Sequence, residues 1–445
     1  MDVILGIIGG SLNQVLWVVS TFFWIVIAIF IGRILFTYIK NWWLDRVQDK
    51  FVGDIDWVLL ELRFPKGNMI FPKAMEQVFA SFYQIYSFGI KPEKRWLEGQ
   101  IEEWISAEMV SSKDGIRFFI RVNKNFRALV ESAIFSQYPN AEIVEAESDY
   151  IDEFSKDLPN DEYDLLGTDI VLGRDDSYPI KTYPYFFGER KFEEQELDPI
   201  SILAETMSDL KSDERIWVQV LIRPDGGELK KRSDKVIDKM LGKKEAEKPK
   251  GIIGGTTDFA RNLAYAPVQS PEWMAAAPKP EEKAKNLNAI ESEVMKAVGR
   301  KGAKTAFETM IRTIYIDKKD NFTRSNFTAV TSAFQQFNTR DLNYLRPSAL
   351  TYTKSPRFFF KKSALLRKKK NIFQHYIGRS FSIFSNLEET TPFLNINKQS
   401  VPPFLLNIEE LATIYHPPIM SVVASGLRSL EAKKGVPPAN LPIEE

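Results

Sequence analysis

The chain has 445 residues, 44% hydrophobic and 27% charged, the balance of a folded body with room for two or three domains. Its 59 basic and 59 acidic side chains cancel, so no global attraction to nucleic acid is expected. Cysteine is absent, which excludes disulfides and thiolate metal sites, and only His375 and His416 are available to a zinc site or a histidine-based triad.

Between Asp2 and Arg33 there is no charged side chain, and Val15–Ile31 reads VLWVVSTFFWIVIAIFI. A helix continued to Phe36 exceeds about twenty residues and, at about 1.5 Å per residue, crosses a hydrocarbon core of about 30 Å. Lipid offers no partner to a free backbone amide, so such a segment must be helical. A soluble core helix would keep a polar stripe, and a cleaved signal peptide would open on basic residues with a shorter run. Trp17 and Trp24 lie within the run; Arg33, Lys40, Arg46 and Lys50 follow it, with Trp42 and Trp43 at the expected interface. Positive flanks stay in the cytoplasm. Residues 1–50 are therefore expected to be a single-pass anchor in the cytoplasmic membrane, N-terminus outside and the bulk of the chain cytoplasmic.

Residues 51–150 carry a β-α-β-β-α-β pattern. WVLLELR (57–63) is β-rich, and Met75, Val78, Phe79, Phe82 and Ile85 make one helical face after Pro72. Residues 100–110 read as a strand. Ile116, Phe118, Ile120 and Val122 then alternate with Arg117 and Arg121, and Asn125 is placed to cap a helix before a last strand at 141–147. The order is that of a ferredoxin-like unit. An acidic connector, 151–167, follows; from Glu142 to Asp164 there are ten carboxylates and one lysine, which predicts a solvated, self-repelling segment.

Residues 168–350 repeat the plan around an insertion at 228–304. A short strand at 168–172, a helix capped by Asp198, the strand RIWVQVLIR (215–223), the strand AFETMIRTIYID (306–317), a helix near 325–337 and a strand near 342–345 form a second ferredoxin-like unit. The insertion opens with a charged helix at 228–241, then loses any steady period and is expected to be mobile. The fold class is thus α+β: a transmembrane helix, two ferredoxin-like units and an irregular tail, 351–445. Gly299-Arg-Lys-Gly302-Ala-Lys304-Thr305 lacks phosphate-loop spacing and reads as a helix end, and the sequons at Asn321 and Asn326 read as a turn and a cap.

In the tail Lys361, Lys362, Arg367, Lys368, Lys369, Lys370 and Arg379 are interleaved with Phe358, Phe359, Phe360, Phe373 and Tyr376. Three readings stay open, in this order: a solvated edge, an interaction surface for protein or anionic lipid, and a grip on DNA with aromatics stacked on bases. Further on, Asn407 marks a helix start with Glu409 and Glu410 in its first turn, ended by Pro417 and Pro418. No residue is assigned to catalysis, cofactor binding or metal binding.

LNIEELATIYHPP, the closing PPANLP, and the strands WVQVLIRP and FETMIRTIYI resemble the region ahead of the motor in conjugal DNA-transfer ATPases of type IV secretion. The apolar helix followed by DWVLLELRFPKGN resembles their membrane-anchored N-terminal parts. In that family the phosphate-binding loop follows the segment where this chain stops, so no catalytic residue carries over. The resemblance implies a non-enzymatic accessory scaffold that docks a separate ATPase at the cytoplasmic face. Its partners would be the bilayer and that ATPase; a membrane-tethered nucleic-acid-binding protein is the alternative, and a second copy of the chain is a further possible partner.

Overall fold

The computed structural model describes residues 2–65, 70–112, 115–187, 198–211, 213–242, 287–355, 361–381 and 401–419. The aperiodic part of the insertion, Phe358–Phe360 and PPANLP lie outside these residues.

Helix α1 runs unbroken from Asp2 to Gly53, 52 residues. Its most apolar window has a mean hydropathy of 2.2 and no buried residue, so this helix is long and apolar enough to cross a membrane. After it come β1 (Trp57–Arg63), α2 (Pro72–Phe82), β2 (Ile105–Ser112), β3 (Gly115–Asn123), α3 (Arg127–Gln137), β4 (Glu142–Glu145), β5 (Tyr163–Leu172), α4 (Pro184–Phe187) and α5 (Ser201–Ser208). The series continues with β6 (Arg215–Pro224), α6 (Glu228–Met240), α7 (Ala289–Gly302), β7 (Ala306–Lys318), α8 (Arg324–Ala333), β8 (Leu345–Pro347), α9 (Lys361–Ile377), β9 (Phe404–Asn407) and α10 (Ile408–Ile414).

All the strands join one sheet in the order β4-β1-β3-β2-β6-β7-β5-β8, with β9 paired to the start of β7. Every pairing is antiparallel, including β2 against β6, which welds the two halves into one surface. Alternation sends Val58, Ile120, Ala107, Val218 and Ile311 to one face, where α2, α3, α5, α8 and α10 cover them in the main core. The opposite face carries Phe119, Val110, Trp217 and Ile314 under Ile372, Phe373 and Tyr376 of α9.

Several expectations need correction. The region from 351 is not irregular throughout: α9 is a 17-residue helix, and β9 and α10 are buried in the sheet and core. The strand expected at 100–110 begins at Ile105, and that expected at 342–345 lies at Leu345–Pro347. The strand expected at 168–172 begins five residues earlier, at Tyr163, inside the acidic segment. That segment is not a free, repelling stretch, because Asp149, Glu153, Asp157 and Asp164 each meet a basic partner. Asn123, rather than Asn125, caps the turn before α3, its side chain accepting from the Asn125 amide.

Helix α7 ends against α6 at Gly302, where an added Cβ would meet Ser233 Cβ at 2.6 Å. The following Lys304 pairs with Glu76 and Glu409. Those contacts give the glycine and lysine of the 299–305 segment structural roles.

Candidate functional site

Helix α9 owes its position to one stripe. Lys369, Ile372, Phe373 and Tyr376 are buried at the 3–4-residue spacing of a helix face. Beneath them β5 places Gly167, where a Cβ would come within 3.1 Å of Ile372. The helix ends at Ile377, and after Gly378 Arg379 has φ 45°.

This geometry divides the basic cluster. Lys361, Lys362 and Arg367 are exposed, and Lys368 is half-buried with Nζ 3.5 Å from the Tyr352 carbonyl. Lys370 pairs with Asp157 at 2.8 Å on the surface. Lys369 is buried and donates to both oxygens of Asp164, at 2.6 and 2.7 Å. Arg379, 3% exposed, donates Nε and Nη2 to Glu108 at 2.7 and 3.0 Å, and Nη1 and Nη2 to Asp149 at 2.6 and 3.0 Å. Lys369 and Arg379 therefore leave the candidate interaction patch: they fasten α9 to the sheet. The exposed remainder of the cluster is the outer face bearing Lys361, Lys362 and Arg367.

The anchor of Arg379 belongs to a polar layer that crosses the sheet. The register sets Glu108 opposite Gln219, Gln219 opposite Arg312, and Arg312 opposite Asp169, one residue from each of β2, β6, β7 and β5. Gln219 donates to Glu108 at 3.1 Å and Arg312 to Asp169 at 3.1 Å. Tyr150 donates to Glu108 at 2.8 Å and lies 3.0 Å from the Tyr376 hydroxyl. Arg312 also donates to the His375 carbonyl at 2.9 Å. Burial would lower the pKa of Arg379, but Glu108, Tyr150 and Asp149 outweigh it and raise it well above the ordinary value. Asp149 responds in the opposite sense: burial pushes it up, and Arg379 more than reverses that. For Asp169 burial wins over Arg312 and raises the pKa.

The layer was not singled out from the sequence. Its signal was present as a polar residue at a core-facing position of otherwise apolar strands, Gln219 in RIWVQVLIR and Arg312 in AFETMIRTIYID. Strand alternation alone does not say that these positions align across four strands separated by as many as 204 residues, which is a matter of register. The layer is enclosed and saturated with internal bonds, so it acts as structural glue beneath α9.

Neither histidine lies in a metal-binding group; among the described residues no cluster of three or more His, Asp or Glu side chains is placed to hold an ion. Burial, then Arg312, lowers His375 to about 4. His416 is fully buried, Nδ1 2.7 Å from the Ala412 carbonyl and Nε2 2.8 Å from Asp198. Asp198 also accepts from the Ile419 amide at 2.7 Å, so this pair clamps the chain just beyond α10. Burial raises the Asp198 pKa, and His416 and the amides overcome it to a net lowering. At α10 itself Asn407 and Glu410 form a reciprocal capping box, and Glu410 pairs with Lys301 at 3.0 Å with both side chains fully buried.

Trp17, Trp24, Arg33, Trp42 and Trp43, which the sequence reading assigns to a membrane anchor, are all exposed along α1. At its far end α1 meets the body. Trp43 donates Nε1 to the Trp96 carbonyl at 3.1 Å, and Lys40 Nζ stands 5.3 Å from the Trp96 ring centre. Gly99, with φ +70°, approaches so closely that a Cβ would lie 2.3 Å from the Val47 carbonyl oxygen.

No curated protein matches the chain. A family model described as a domain of unknown function, DUF8128, matches residues 51–381, from the last turn of α1 through the segment after α9. The match takes in both halves of the sheet through β8 and the helix that seals the polar layer; by this match the chain belongs to the DUF8128 family.

Proposed function

We propose that the protein is a membrane-anchored, non-enzymatic scaffold that holds a separate ATPase of a type IV secretion or conjugation-like DNA-transfer machine against the cytoplasmic face of the cell membrane. One observation carries the reading: α1 exposes a membrane-length apolar run and is continuous with a turn locked onto the folded body by Trp96 and Gly99. A tethered body raises the effective concentration of a weakly bound partner without any chemistry of its own. The ATPase is argued from resemblance. WVQVLIRP, FETMIRTIYI and LNIEELATIYHPP fall on β6, β7 and β9–α10, which are neighbours in the sheet, so the likeness concerns one contiguous piece of the fold.

The finer architecture belongs to the same proposal. The first half has the order β4-β1-β3-β2, and the second repeats it as β8-β5-β7-β6, which supports reading the sheet as two fused ferredoxin-like units.

The test is purification of the full chain in detergent from its own cells, followed by identification of what accompanies it. Recovery of a Walker-motif ATPase supports the proposal. Recovery of nucleic acid without an ATPase favours the tethered nucleic-acid binder. In that case Lys361, Lys362 and Arg367 give at most about three phosphate contacts, and the affinity should fall with salt with a log–log slope no steeper than about −3.

A further inference from the structure

The connection between α2 and β2 projects two large apolar side chains that are exposed among the described residues, Phe88 at 87% and Leu97 at 74% exposure. Leu97 sits in the turn Lys94–Glu98, whose neighbouring Trp96 is the residue that meets α1. Its height along α1 is therefore set. The Trp43–Trp96 hydrogen bond, the Lys40–Trp96 contact and the Gly99–Val47 approach place the turn beside residues 40–47, where the apolar run gives way to charge. Phe36, Ile39, Trp42 and Trp43 are exposed along the same stretch, and with Trp96 and Lys40 they line a shallow, largely aromatic and aliphatic concavity.

Charge is consistent with this placement. Residues 33–50 and 91–98 together carry seven basic and four acidic side chains, and Lys91, Lys94 and Arg95 are exposed around Leu97. An apolar tip, a tryptophan and a basic surround, held at the end of a membrane-length helix, are the composition of an element that lies in the headgroup region. We propose that the 86–99 connection is a second membrane contact: Leu97 enters the bilayer interface beside α1 and, with Lys91, Lys94 and Arg95 on lipid phosphates, fixes the tilt of the body on the membrane. The occupant of the apolar concavity is lipid, because the surface is continuous with the exposed flank of the helix.

The inference rests on the reading that α1 crosses the bilayer, and the experiment separates the two. The absence of cysteine allows single labels without background. Full-length Ile29→Cys, Leu97→Cys and Leu350→Cys proteins, each bearing a nitroxide, are reconstituted into phosphatidylcholine vesicles with and without phosphatidylglycerol. Collisions with oxygen and with a water-soluble nickel complex then report depth. The label at position 29 should be deep, that at position 350 aqueous, and that at position 97 intermediate, moving deeper when phosphatidylglycerol is present. A deep label at 29 with an aqueous label at 97 overturns the second contact and leaves the anchor standing. An aqueous label at 29 overturns both. Changing Lys91, Lys94 and Arg95 to Gln in the Leu97→Cys protein should abolish the phosphatidylglycerol effect; persistence of that effect would remove the phosphate contacts from the account.

Discussion

Arg379 shows how a charge that reads as surface becomes structure. It lies in a basic run, yet its guanidinium is spent on Glu108 and Asp149. Arg379→Ala strands the fully buried Glu108 and should cost about 3–5 kcal/mol in denaturant unfolding, whereas Arg367→Ala on the same segment should change stability by no more than about 0.5 kcal/mol. Asp149 adds an acid limit. Its pKa is held below the ordinary value, so its contribution is full above about pH 4 and disappears as pH falls through the native value. His375 acts over a higher window. Its native pKa of about 4 lies below its ordinary value near 6.5, so between these the unfolded chain takes a proton that the native one refuses. Stability should therefore decline from about pH 6.5 toward 4, by about 1–2 kcal/mol given its partial exposure, and His375→Gln should flatten that decline in unfolding curves taken across the window. The residue types of this site were legible in the sequence, but their partners were not. Lys369 and Asp164 are 205 residues apart, and nothing local in either segment announces the pairing.

Among elements, those with clean periodicity were readable before the structure: α1 from its uncharged run, β3 and β6 from alternation, α10 from its cap. Helix α9 was hidden because a lysine occupies a buried stripe position, interrupting the apolar period that would have marked it. The first half of β5 was hidden by the carboxylates of its flank, and β9 by its length of four residues. Once α9 is recognised, its two faces predict different outcomes. Lys361, Lys362 and Arg367 changed together to Glu should leave the melting temperature nearly unchanged, while Lys369→Glu sets like charge against Asp164 and should unfold the helix end, seen as lost amide protection over 369–379. The junction of α1 with the body depends on Gly99 in the same way. Gly99→Val combines an unfavourable positive φ with a clash against the Val47 carbonyl, and should expose the 94–100 amides to exchange at a cost of about 1–3 kcal/mol.

At the scale of the whole molecule, one continuous antiparallel sheet joins both halves, and the two covered faces do different work. The main core holds the fold together; the other face carries the polar layer and α9, whose outer surface exposes Lys361, Lys362 and Arg367. The membrane-length helix leaves from the end of this body, with Phe51 and Val52 packed beside the cluster of Trp104, Leu221, Met310 and Phe381. A membrane-length helix joined to the body through a packed junction holds a defined orientation relative to it, which a flexible linker would not do.

The ATPase-docking role is tested most directly by comparing two full-length proteins expressed in their own cells, the native chain and the Lys361→Glu, Lys362→Glu, Arg367→Glu variant, each solubilised and purified with whatever accompanies it. A Walker-motif ATPase should accompany the native chain and fall at least tenfold with the variant, both proteins melting at the same temperature, a change of about 1.4 kcal/mol or more in binding alone. Equal recovery from both, or no ATPase with either, would contradict it.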